Sequence, residues 1–398
     1  MNSEPTPTAA SDRIESLDVL RGFALLGILL INIWVFSMPF AALQNPTVYG
    51  DLTGVNYAAW LVSHVFAQRK FITLFTLMFG AGIVLFMRSK DDMTARRLHR
   101  RRTLVLLGIG LAHAYVLWYG DILVQYALCG LFVVSMRDWK PPTLAGFGLL
   151  LVAVPTVLSV GQGLSVDPGT TFSGWAPSDA ALAGEIESYR SGWLDQLDHR
   201  ASTAFTLQTG GFLLSTFWRT SGLMLWGMAL FKWGVLSNQR STAFYRRLLV
   251  GGGVGGLALI LTGVWYNTTV VDWAAPEAVF FGTQFNYWGS LLLAGAYIAA
   301  VMLYCRRRSG PAVAALSAVG RTALSNYLLQ TLLATSIFYG HGLGLFGSVS
   351  RFELLGVVAA IWAIQIALSV WWVGRFRFGP AEWLWRTTTY GRRQPLQK

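Results

Sequence analysis

The sequence predicts an all-α polytopic integral membrane protein: a helical bundle of about ten transmembrane helices with both termini cytoplasmic. Three observations predict it. The 398 residues are 54% hydrophobic and 13% charged, and the mean hydropathy is +0.48, too apolar and too poor in charge for a water-soluble domain. Windows of about 18 to 24 apolar residues recur along the whole chain. The basic residues, finally, are divided very unevenly between alternate loops.

Residues 1–17 form the cytoplasmic N-terminal tail, and the Pro, Thr and Ser of the first dozen suit a free end. The first span, 18–40, opens with "DVLRGFALLGILLINIW"; it is too long for a signal peptide and is read as an uncleaved helix. An exterior loop near 41–69 is rich in Pro and Gly, then runs into an aromatic segment suited to the interface. Spans at 70–87 and 102–118 flank the basic stretch "TARRLHRRR", and a tight "YG" connection leads into the next, 121–136, which 143–160 follows. A second exterior loop near 161–211 is polar and punctuated by Trp, with turn signals first and helical spacing later. Spans at 212–236, 248–268, 284–304, 313–340 and 352–373 complete the helical domain, 18–373, and 374–398 is a basic cytoplasmic tail. The run "VGGGVGG" that opens 248–268 suits close helix packing.

With the N-terminus inside, 22 of the 31 Lys and Arg fall in cytoplasmic segments and 5 in exterior ones; Arg21, Arg219, Lys232 and Arg321 lie within spans. The net charge of +12 therefore reports orientation and contact with anionic membrane lipids, not nucleic-acid binding. Cys129, inside a span, and Cys305, beside "CRRRSG", belong to different depths, so no disulfide is expected. No metal-ligand spacing and no phosphate-binding glycine loop occurs.

Polar residues within spans carry the functional signal, because they are costly there. Eleven helical residues make three turns plus about 20° and rise roughly 16 Å, so Arg21 and Asn32 share one face, at an inner and an outer station. Asp18 stands one turn before Arg21, where the two can pair; Asn32 by itself also suits helix-to-helix hydrogen bonding. His113, in "LAHAYVLWYGDIL", lies about one and a half turns inside the outer end of its span and is the candidate proton acceptor. Asp121 opens the following helix, where it suits an N-cap and could also orient His113. His64, in the exterior aromatic segment, is the competing base. His99 and His199 are expected to be solvated, and His341 to be a loop residue. Asn326 and Gln330, four apart on one face, suit inter-helix bonds or a channel lining. Arg219 suits a snorkel to the interface or contact with an exterior anionic group. The tail "RFRFGPAEWLWR" alternates Arg375, Arg377 and Arg386 with aromatic rings, a pattern for phosphate and base contacts or for anionic lipid.

"LDVLRGFALLGILLIN" resembles the first-span signature of transmembrane acyltransferases, Leu-Asp-x-x-Arg-Gly followed eleven residues after the Arg by His or Asn. The Asn form is similar to heparan-alpha-glucosaminide N-acetyltransferase. "KFITLFTLMFGAGI", "LGIGLAHAYVLWYGDILVQYALCG", "VGRTALSNYLLQTLL" and "FRFGPAEWLWR" resemble the bacterial YeiB family, in the same order and over nearly the whole chain. The resemblance implies an acyltransferase in a bacterial inner membrane. It would move an acyl group such as acetyl from cytosolic acyl-CoA, acetyl-CoA foremost, to an unidentified exterior acceptor, without a metal. Asn32 would donate to the oxyanion, His113 with Asp121 would deprotonate the acceptor, and Arg21, Arg375, Arg377 and Arg386 would hold the donor. Where the heparan enzyme places a His eleven residues after its Asn, this chain has Leu43. The alternative is a transporter or channel for a lipid-like or small organic molecule, although no inverted repeat is visible. Aromatic membrane faces would suit a homodimer.

Overall fold

Local signals mark where the helices begin. Asp91 accepts the Thr94 N–H, Ser178 that of Ala181, Ser241 that of Phe244 and Ser350 that of Glu353, whose carboxylate returns a bond to the Ser350 N–H in a capping box. Pro141, Pro311 and Pro380 stand in first turns, where a missing N–H costs nothing. The computed structural model describes residues 13–88, 91–167, 170 and 172–398. The free end expected of the first dozen residues, and Lys90 of the basic loop, lie outside the described residues.

The chain runs through α1 (Glu15–Ser37), α2 (Gly54–Phe66), α3 (Lys70–Met87), α4 (Asp92–Ala112), α5 (Leu123–Val133), α6 (Pro141–Ser165), α7 (Asp179–Arg190) and α8 (Leu197–Thr206). It continues through α9 (Phe217–Lys232), α10 (Thr242–Trp265), α11 (Thr283–Arg307), α12 (Pro311–Arg321), α13 (Ala323–Phe338), α14 (Arg351–Arg375) and α15 (Pro380–Tyr390). An isolated bridge pairs Phe376 with Gln397, and no strand occurs among the described residues. The fold is all-α. Among the described residues six helical stretches are long and apolar enough to cross a membrane: Glu15–Ser37, Gly54–Met87, Pro141–Ser165, Thr242–Val270, Ala278–Arg307 and Arg351–Arg375. Leu123–Met136 is a shorter apolar helix.

Burial separates centre from periphery. The apolar window of α1 is 72% buried, whereas those of α6, α10 and α14 are 28% buried, so α1 is the axis and the other three turn apolar faces such as Leu150, Val157, Val254 and Leu368 outward. Small residues let the central helices touch. A methyl added to Gly22 would strike the Leu316 carbonyl, and one on Gly320 the Asp18 carbonyl, at the crossing of α1 and α12. Gly80 and Gly227 play the same part between α3 and α9, and Gly252 and Gly256 of the glycine run press against α11.

The aromatic segment forms α2, packed on the bundle: Trp60 is 1% exposed and stacks on His64, and the helix breaks from α3 only at Ala67–Arg69. On the same side of the bundle, Arg351 donates to the carbonyls of Pro46, Tyr49 and Asp51, tying the first loop to the start of α14. The Trp175 indole donates to the Trp273 carbonyl, which holds the second loop down. Two expectations are corrected. His99 is buried against the Gly130 carbonyl and Thr103, because α4 turns it toward α5. Arg219 does not snorkel; it is buried and bonded to neighbouring helices. His199 is half-buried with its ring edge against Tyr189. Cys129 and Cys305 are free thiols.

Candidate functional site

α4 ends by widening into the π-helical turn His113–Leu117, a form frequent at functional sites. This turn aims the His113 imidazole inward. The chain then reverses through Trp118–Gly120, where any side chain on Gly120 would strike the Trp118 indole, and delivers Asp121 beside the ring. Asp121 divides its oxygens: Oδ1 accepts the Val124 N–H at 2.8 Å and caps α5, while Oδ2 lies 2.7 Å from His113 Nδ1. In the neutral tautomer that gives Nδ1–H to the carboxylate, the lone pair sits on Nε2, 2.9 Å from the Thr331 hydroxyl on α13, which can donate to it or to the Tyr327 carbonyl at 3.5 Å. Both partners of the His113–Asp121 pair are buried, with side chains 1% and 0% exposed. The result is a hydroxyl–imidazole–carboxylate relay brought together from three parts of the chain. Tyr327, one turn before Thr331, packs its ring 5.0 Å from the imidazole, and its hydroxyl accepts the Ile122 N–H.

A cavity of about 280 Å³ opens among α1, α3, α4, α5, α12, α13 and α15. Arg13, Arg21, Arg102, Arg321, Arg377 and Arg386 line it. So do the apolar Phe75, Met78, Phe79 and Leu106, together with Ile122, Tyr126 and Tyr327. Tyr327 is thus shared between the cavity and the relay. The C-terminal helix builds one wall. Glu382 accepts the Leu324 and Ser325 N–H groups and the Ser325 hydroxyl at the start of α13. Burial pushes its carboxyl above the ordinary value, although those donors pull the other way. The Trp385 indole donates to the Arg102 carbonyl at 2.7 Å, and the Arg102 guanidinium lies over the Trp385 and Phe86 rings.

The other sequence candidates are spread more widely. Asp18 and Arg21 form an ion pair at 2.7 Å, and both line the cavity. Arg377 and Arg386 line it; Arg375 does not, because its guanidinium lies back over Trp371 on the exposed side of α14. Asn32 is half-buried, makes no side-chain hydrogen bond among the described residues, and lines neither this cavity nor the smaller one described below. It stands one turn before Phe36, whose ring stacks on Trp118 at 4.0 Å, beside the His113 turn. Asn326 and Gln330 are helix-to-helix bonds: Asn326 donates to Ser369 and Thr322, and Gln330 to Gln365 and the Leu25 carbonyl. Neither lines the cavity. Leu43 offers only its carbonyl, to Gln68. His64 lies against Trp60, in the smaller cavity.

Comparison with known proteins follows the same full length. The chain is 34% identical to the uncharacterized protein YeiB of Escherichia coli (strain K12) over 393 residues, covering 95% of this chain and 96% of that one. It is 33% identical to the uncharacterized protein YxaH of Bacillus subtilis (strain 168) over 414 residues, covering 98% of each. The chain belongs to the YeiB family. The family described as "Protein of unknown function (DUF418)" matches residues 230–392, and an uncharacterized 39.9 kDa protein of Bacillus acidopullulyticus is 27% identical over 98% of this chain and 97% of that one. In this YeiB-family chain the matched stretch supplies Tyr327, Thr331, Arg377, Glu382 and Arg386, whereas Arg21, His113 and Asp121 come from the half before it. Thr331 is the residue that sequence reasoning misses. A threonine in a span commonly turns its hydroxyl to the carbonyl four residues back, so nothing in "NYLLQTLL" marks it.

Proposed function

We propose that this YeiB-family protein is a multi-pass acyltransferase of the cell membrane that takes an acyl group from cytosolic acyl-CoA and passes it to a hydroxyl or amine in the outer half of the bilayer. Ten crossings with both termini in the cytoplasm would open the arginine-lined cavity to the cytosol. The observation that carries the reading is one cavity lined both by six arginines and by the Tyr327 ring that packs on His113. Such a donor has phosphate charges at one end and a long thin arm bearing the thioester at the other. Guanidinium groups suit the phosphates, and an apolar bore suits the arm. At about 280 Å³ the bore is sized for the arm, which leaves the nucleotide at the mouth.

In this scheme His113 Nε2 exchanges the Thr331 hydroxyl for the acceptor's O–H or N–H. It takes that proton as the acceptor attacks the thioester carbon, then returns it to sulfur as the C–S bond breaks. Asp121 holds the tautomer and offsets the imidazolium charge. Asn32, with an amide free of partners among the described residues, is the proposed oxyanion donor. It lies outside the cavity, so it engages only when the thioester passes Tyr327.

Thermal denaturation of purified protein with CoA, acetyl-CoA and longer acyl-CoAs tests the reading. Stabilisation should grow with the logarithm of ligand concentration and fall away when Arg377 and Arg386 are both changed to Gln. No response to any CoA species, or a response unchanged in that double variant, overturns the donor assignment. Uptake of a small molecule by proteoliposomes without release of free thiol would favour the transporter instead.

A further inference from the structure

A second polar cluster lies where α3, α9 and α11 begin. Lys70 is fully buried, and its ammonium donates to Asn286 Oδ1 at 2.6 Å and to the His64 carbonyl at 2.7 Å. Arg219, 9% exposed, donates to Thr73 Oγ1 at 3.0 Å and Ser290 Oγ at 3.1 Å. Arg69 precedes α3 with φ 69°, a left-handed conformation uncommon outside glycine, so the fold holds this side chain in place at some cost. The Arg69 and Arg219 guanidinium groups lie 5.6 and 4.3 Å from the centre of one ring, that of Tyr287.

Charge does not balance here. Among the described residues no carboxylate pairs with Arg69, Lys70 or Arg219, and the Arg69 guanidinium makes no hydrogen bond. The first N–H groups of α3, with no side-chain cap, add partial positive charge at the same place. Three cations so close together repel one another, and a buried charge without a partner is costly.

Beside them is a cavity of about 20 Å³ lined by Arg69, His64, Gln68, Asn267 and Asn286, among others, room for about one particle the size of a water. Asn267 is 5% exposed, and its Oδ1 has no partner among the described residues. Turning that amide by 180° puts its NH2 where the oxygen stands, with the same shape.

We infer that this small cavity, lined by Arg69 and close to Lys70 and Arg219, is a binding site for one small monovalent anion, of the size of chloride or a carboxylate. Arg69 supplies the free donors, Lys70 and Arg219 supply the field, and Asn267 turns its NH2 toward the ion. The site shares no lining residue with the larger cavity and does not rest on the acyltransferase reading. It is nevertheless linked to it: Thr73 bonds Arg219, and Thr76, one turn further along α3, bonds Tyr126 of the larger cavity at 2.7 Å.

The test is thermal denaturation of the full-length protein in detergent at constant ionic strength. The bulky sulfonate MES is the reference anion, replaced stepwise by chloride or, separately, by acetate. The wild-type Tm should rise with the logarithm of chloride or acetate concentration. Arg69→Gln should remove that dependence. Lys70→Met removes one of the basic groups that supply the field, so its Tm should stay flat as chloride is added. A wild-type Tm equal in all three salts means the cavity holds water only, and the proposal fails. It fails equally if R69Q or K70M responds to chloride as the wild type does.

Discussion

Replacing Asp121 by Asn separates the relay's chemistry from its architecture. The Asn Oδ1 can still accept the Val124 N–H, so the cap on α5 survives. The new Nδ2 faces His113 Nδ1, however, and two N–H donors cannot share that 2.7 Å contact. The imidazole must move its proton to Nε2 and donate it to Thr331. The lone pair that would take the acceptor's proton is then gone. General-base assistance worth about 10²- to 10⁴-fold should disappear, roughly 3–5 kcal/mol of barrier. Stability should change far less, because a charge-assisted bond of about 1.5–3 kcal/mol becomes a neutral one of about 0.5–1.5 kcal/mol. Asp121→Ala also loses the cap, about 1 kcal/mol, and leaves a buried ring N–H unpaired, about 1–3 kcal/mol, so it should be clearly destabilised. Release of free thiol from acetyl-CoA by protein in nanodiscs, read beside Tm, distinguishes the two variants. D121N turning over at the wild-type rate would refute the relay as the base. So would a loss of turnover in D121N accompanied by a fall in Tm as large as that of D121A.

Thr331→Val keeps the shape of the side chain but leaves Nε2 without a donor, so Tm should fall by the equivalent of about 1–3 kcal/mol while thiol release persists. Loss of turnover at unchanged Tm would instead make Thr331 itself the acyl carrier. Glu382 carries a pH dependence with a definite sign. Its folded value lies above the ordinary 4.5, so the folded form binds the proton more readily, and the stability it contributes is full below pH 4.5 and lost as pH rises through the folded value. Melting curves from pH 4 to 8 should show that decline in the wild type and a flatter profile in E382Q. A reporter active only outside the membrane, fused after residue 185, should give signal; signal from a C-terminal fusion would invert the bundle and move the arginine mouth to the other face.

Much of the fold was legible because membrane spans announce themselves by composition. Among the described residues six helical stretches are long and apolar enough to cross a membrane, whereas the span expected at 313–340 breaks at Thr322 into α12 and α13; the glycine run at 250–256 packs against α11 as small residues do. His113 was legible because an ionisable side chain at that depth is costly, and Asp121 because it opens a helix eight residues later. Both are signals carried on one strand of text. Arg377 and Arg386 were legible as a cationic pattern, but Arg375 carries the same pattern and points elsewhere, since which way a residue faces depends on how α14 leads into the tail. His99 reads as a residue of a basic loop, yet it is buried because α4 begins earlier than its apolar part and turns that ring toward α5.

The sequence by itself determined the class, the family and the polar residues that a bilayer makes expensive, since each of these depends on the transfer of side chains out of water and not on their neighbours. Only the tertiary structure decided the partners. Thr331 lies 218 residues from His113, and Arg69, Lys70 and Arg219 come from two helices joined through a third, so no local spacing could announce either cluster. Whether a buried charge is paired, relayed or left for a ligand depends on what the packing of other helices places within about 3 Å of it, the range over which hydrogen bonds act.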